Sequence, residues 1–155
     1  MQPSFVLRFD RLSIVRVLAA LTLAAAALHA RAEAQLATRV LEVGAHPLKV
    51  EVAQSEEQRS KGLMFRKSLA REEGMLFIFD DPGYYSMWMK NTLIPLSVAF
   101  VDRAGVILNV EDMEPQTLDA HLSAGPALYA IEANKGWFAA HHVKAGDKVT
   151  GLPGK

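Results

Sequence analysis

Apolar and polar positions alternate along this chain in short bursts, and few of the bursts are long enough for a helix. Leu48-Lys49-Val50-Glu51-Val52 alternates apolar with charged side chains, which predicts a strand with one wetted face. Residues 40–43 predict a shorter strand before it. Gly44 and His46-Pro47 would stop that strand, since proline drives the residue ahead of it toward extended conformations. Ser55-Glu56-Glu57-Gln58 is a helix start: a serine N-cap, a glutamine three positions on, and two carboxylates at the positive end of the dipole. The spacing predicts a short helix over 56–61, ended by Gly62. Ser68 and Gly74 bracket a second short helical turn by the same logic.

Beyond Gly74 the pattern reads as β. Met75-Leu76-Phe77-Ile78-Phe79 is a continuous apolar run ahead of Asp80-Asp81-Pro82-Gly83, as expected of a strand buried on both faces. Further strands are predicted over 84–89, 96–101, 106–110, 129–132 and 148–150. Asp102-Arg103-Ala104-Gly105 makes a hairpin loop. Many short strands with one or two brief helices predict a mainly β fold, a jelly-roll-like β-sandwich or a small partly closed barrel.

The first thirty-four residues follow a different rule. Arg8, Arg11 and Arg16 precede a stretch, residues 17–28, that is apolar except for Thr22. Small-x-small sites follow at Ala30-Arg31-Ala32 and Ala32-Glu33-Ala34. This layout predicts a cleaved signal peptide over 1–34, because the apolar stretch is shorter than the roughly 20 residues needed to span a bilayer. A single domain over 35–155 is expected, periplasmic or secreted, without stable membrane insertion. That segment holds 13 Lys and Arg against 15 Asp and Glu, a net charge of −2, which gives no electrostatic reason to bind nucleic acid. The chain has no cysteine, so its own core must hold it without disulfides.

Candidate chemistry centres on Trp88-Met89-Lys90-Asn91-Thr92, where three polar side chains interrupt two apolar segments. Arg59 and Arg66 are seven apart and would share a face if one helix ran through both. Guanidinium and ammonium groups suit anions, and Trp88 with Met64 would supply an apolar wall of the kind that lines ligand pockets. The competing expectation is structural: Asn91 and Thr92 satisfied by local backbone, Lys90 paired with Glu132 or Asp80. Met64, Met75, Met87 and Met89 could suit Cu(I), but Met87 and Met89 alternate around Trp88 and are expected to fill a core. His46, His121, His141 and His142 show no metal-ligand spacing, and the adjacent pair points to opposite faces if extended. A metal held by His121 and Glu132 is the weaker alternative; no metal or cofactor is expected. The acids of Glu111-Asp112-Met113-Glu114, ahead of Pro115, are expected in a solvated loop. No nucleophile elbow or Ser-x-x-Lys spacing is present.

From Arg59 to Val149 the sequence resembles the bacterial and archaeal family called domain of unknown function 192. The matching motifs are Gly62-Leu63-Met64-Phe65-Arg66, Gly74-Met75-Leu76-Phe77 and Trp88-Met89-Lys90-Asn91-Thr92-Leu93-Ile94-Pro95-Leu96, with Glu132, Gly136 and Gly146-Asp147 further on. Ser97 stands where the family usually has aspartate, and Met87 where it has an aromatic residue. The resemblance implies a jelly-roll-like β fold in an envelope or exported setting, and no activity. The expected function is an exported binding module for an anionic small molecule, an envelope glycan or a partner protein. Its candidate ligand residues are Arg59, Met64, Arg66, Trp88, Lys90, Asn91, Thr92 and Glu132. An acid–base enzyme using Glu132, Asp112 and His121 is one alternative, and an accessory domain acting by docking is the other.

Overall fold

Residues 36–154 are described by a computed structural model; the predicted signal peptide lies outside the described residues. The chain forms strands β1 (Thr38–Val43) and β2 (His46–Ala53), helix α1 (Glu56–Lys61), and strands β3 (Glu73–Gly83), β4 (Ser86–Met87), β5 (Leu96–Val101), β6 (Ile107–Met113), β7 (His121–Leu122) and β8 (Ala127–Asn134). Helix α2 (Trp137–Ala140) and strand β9 (Val149–Thr150) follow. Seven strands make one sheet in the order β6-β5-β8-β3-β2-β1-β9, and β4 with β7 makes a separate two-stranded ribbon. Neighbours in the sheet are antiparallel except β2 and β3, whose parallel pairing needs the long connection through α1.

The sheet curls into a half-barrel, the partly closed form of the expected β architecture. One end is drawn shut: Val106, just ahead of β6, bridges Lys148, just ahead of β9. The Ile107 N–H donates to the Asp147 carbonyl at 2.9 Å and the Val149 N–H to the Gly105 carbonyl at 2.8 Å. Inside the curl lie Leu41, Leu48, Val50, Leu76, Ile78, Ala99, Ile131 and Ala133, packed with Trp137 and Phe138 of α2. Both faces of the middle strands are buried. Every residue of β5 is inaccessible, and β3 is buried continuously from Gly74 to Phe79.

The differences from expectation have local causes. Helix α1 forms as predicted: the Ser55 side chain accepts from the Gln58 N–H, Gln58 returns the bond, and Gly62 ends the helix at φ 47°. The segment between Ser68 and Gly74 makes only a turn, because Asn134 takes up the Leu69 and Ala70 carbonyls from β8. The predicted strand over 84–89 shrinks to Ser86–Met87. The acids expected in a loop continue the edge strand β6 through Met113, where Ser97 donates to Asp112 and His121 engages Glu111. His141 and His142 sit in a turn after α2 rather than in a strand. Among the described residues no helix is long and apolar enough to cross a membrane.

Candidate functional site

The face of the sheet opposite that core carries the chemistry. Opposed residues across a sheet share a face, and the register aligns Glu111 (β6), Val98 (β5), Glu132 (β8), Met75 (β3) and Glu51 (β2) in one row. Three carboxylates thus alternate with apolar side chains across five strands. The two outer ones are partnered: Glu111 contacts His121 Nδ1 at 3.0 Å, and Glu51 is paired with Arg66. The central one, Glu132, is 4 % exposed and has no hydrogen-bond partner among the described residues. Burial raises its pKa from 4.5 to about 8, so at neutral pH it is mostly a protonated acid.

Over Glu132 lies a cavity of about 250 Å³. Its floor is Glu132 with Phe77 and Phe79. One wall is the end of α1 and the turn after it, residues 60–64; the other is Tyr85, Ser86, Met87 and Trp88, with Thr92 between. Arg59 closes the far end. Its Nη1 donates to the Gln54 carbonyl and, at 2.9 Å, to the Ile78 carbonyl, while Nη2 reaches Asp80 at 2.9 Å. Ile78 lies three residues along β3 from the Glu132 row, on the order of 10 Å at ~3.3 Å per residue. The cavity is therefore polarised, with a lone acid at one end, a neutralised guanidinium at the other, and aromatic rings between.

Three loops are laced together beside it. The Phe65 N–H donates to the Asn91 carbonyl at 2.9 Å, the Gln116 N–H to the Thr92 carbonyl at 3.1 Å, and the Met89 N–H to the Thr117 carbonyl at 3.2 Å. Phe65, Asn91 and Gln116 all have positive φ, and only one other non-glycine among the described residues does. Left-handed backbone costs a bulky residue such as Phe65 about 1–2 kcal/mol, and strain of this kind gathers at functional sites. Trp88, which lines the cavity, is itself half exposed, and Phe65, Tyr84, Leu93, Leu118 and Leu122 are exposed large apolar side chains elsewhere on these loops and strands.

Of the predicted site residues, Arg59, Met64, Trp88, Thr92 and Glu132 line the cavity. Arg66, Lys90 and Asn91 do not. Arg66 is drawn to Glu51, so the two arginines share no face once α1 has ended. Lys90 pairs with neither Glu132 nor Asp80; its Nζ lies 5.5 Å from the Trp88 ring centroid. Asn91 serves through its backbone, its exposed amide reaching only the Met64 sulfur at 4.0 Å. Of the methionines expected in the core, Met89 is sealed and Met87 faces the cavity, because the strand stops between them. Phe77, Phe79, Tyr85 and Ser86 were not foreseen as lining. The clue for Phe77 and Phe79 was strand alternation, which separates them from Leu76 and Ile78.

The acid–base triad does not assemble. Asp112 lies in the row of Ser97 and Ala133, on the opposite face from Glu132, and accepts from the Ser97 hydroxyl. His121 is held by Glu111, with Val98 between that residue and Glu132. Among the described residues no group of three or more His, Asp or Glu is placed to hold a metal ion.

Comparison with known proteins agrees with the fold. A family model described as DUF192, uncharacterised ACR, matches residues 36–151. A crystal structure from Sinorhizobium meliloti 1021, described as a candidate transcription regulator, is similar at a TM-score of 0.73 and 34 % identity, covering 76 % of this chain and 95 % of that one. A protein of unknown function from Novosphingobium aromaticivorans DSM 12444 is similar at 0.67 and 33 %, covering 74 % and 84 %. No curated protein matches the chain.

Proposed function

This chain belongs to the DUF192 family, and from that premise we propose that it is an exported recognition module whose ligand enters the cavity over Glu132. The observation that carries the reading is the central carboxyl: desolvated, unpartnered and walled by aromatic rings and thioethers. A ligand that donates to this carboxyl would supply the hydrogen bond that the described residues do not. Export rests on the basic and apolar layout of residues 1–34.

The charge of the site favours a cation or hydrogen-bond donor over the anion expected from the sequence. Arg59 is already shared between two carbonyls and Asp80, and Arg66 is paired outside the cavity. A cationic group entering beside Glu132 would ionise it, and rings at the floor would add cation–π attraction. Amine binding therefore releases a proton at neutral pH and tightens as pH rises toward 8.

Calorimetry on the full chain with simple amines, polyols and carboxylates, in buffers of different ionisation enthalpy, tests this. The expected hits carry an amine or several donors and are lost in Glu132→Gln, and the amines among them show proton release. Hits confined to carboxylates, or hits unchanged by that variant, would remove the proposal. Of the cations that line the cavity, Arg59 is paired with Asp80, whereas Lys61 has no carboxylate partner among the described residues.

A further inference from the structure

Resting on that reading, we infer that the occupant is an extended polypeptide segment, added as a strand to the free edge of β4 with a basic side chain reaching Glu132. The backbone supplies the first argument. The Ser123 N–H donates to the Tyr85 carbonyl at 2.9 Å, and the Tyr85 N–H donates to Ser123 Oγ at 3.0 Å, so residue 85 faces the ribbon partner. Antiparallel pairing alternates, and the Ser86↔Leu122 and Met87↔His121 register makes Met87 the next residue to bond across the ribbon. The N–H and C=O of Ser86 are thus turned away from β7, to the edge of β4 that pairs with no other strand, and neither bonds to a loop among the described residues. Proteins usually blunt such an edge with a proline, a bulge or a covering loop. Ser86–Met87 has neither a proline nor a bulge, and between it and residues 60–64 lies the cavity that both line.

Size gives the second argument. Pockets for drug-sized ligands run to ~300–1,000 Å³. About 250 Å³ is room for one long side chain, with Phe77 and Phe79 along its stem and Glu132 at its tip. Trp88 lines the hollow yet is half exposed, and Tyr84, just ahead of Ser86, is exposed as well. A chain running along β4 would cover both where a single amine would not. Strand addition uses the same division of labour, with main-chain bonds for affinity and a pocket for the alternate side chain.

The test uses the full chain and an extended heptapeptide of valine and threonine with lysine at its centre, compared with its Nε-acetyl form, with n-butylamine, and with two forms N-methylated on alternate sets of backbone nitrogens. Binding of the parent peptide is expected, weakened about tenfold or more by acetylation and by Glu132→Gln, since ~1.4 kcal/mol is one decade. One alternate N-methyl set should abolish binding and the other leave it intact, a signature that leaves the protein itself unaltered. If n-butylamine binds as tightly as the peptide, or both methylated forms bind like the parent, strand addition is wrong while the amine site stands. If neither peptide nor amine binds, both readings fall.

Discussion

Glu132 makes pH the most direct probe of the molecule. Its folded pKa lies above its unfolded value, so between about 4.5 and 8 the folded chain holds a proton the unfolded chain has lost. Stability conferred by the neutral acid is fully present below pH 4.5 and is lost as pH rises through 8. The loss is at most about 5 kcal/mol, and less where water enters the cavity. Chemical denaturation of wild type against Glu132→Gln across this range should show the variant flat and, above pH 8, the more stable of the two. Equal slopes would mean the carboxyl titrates normally. Phe65 offers a second residue-scale test. Its φ of 64° is strained while its ring is largely exposed, so Phe65→Gly should stabilise the fold by about 1 kcal/mol. A lower midpoint in the same denaturation would show that the ring packs more than its exposure indicates.

Elements were legible where local chemistry alone decides them. Helix α1 follows from Ser55, Gln58 and Gly62, and β5 from six consecutive apolar-compatible residues; both fall where the sequence places them. Strand β6 outran its prediction because Glu111 and Asp112 find His121 and Ser97, partners far off in sequence. Strand β7 and helix α2 have too few residues for any period to show. The same limit applies to the site. Trp88 and Thr92 stood out as an interruption of apolar sequence, and Glu132 through family resemblance, whereas Ser86 looks like any strand residue until its edge is seen to be unpaired. Gly74 was legible as the stop of a helical turn, as the start of the apolar run and as part of a family motif, but not as a point of close strand approach. A Cβ there would fall 2.3 Å from the Glu132 carbonyl oxygen, so Gly74→Ala must push β3 and β8 apart beneath the cavity. Overpacking of this kind costs ~1–3 kcal/mol, and a thermal midpoint within a degree of wild type would show that the strands yield freely.

At the scale of the whole molecule, closure depends on contacts that are remote in sequence. Strand β9 pairs Val149 with Val43 and Thr150 with Glu42, and Lys148 bridges Val106. Truncation after Asp147 removes both pairings together with Val149 from the core. It should lower stability by several kcal/mol, with the largest gain in amide exchange at β1 and at the start of β6. Exchange spread evenly over the sheet would mean the shut end adds nothing of its own.

That arrangement also bears on the order of events during biosynthesis. The latch joins β9 to β1 and Lys148 to Val106, so the curled sheet stays unlatched until the segment carrying β9 has been made.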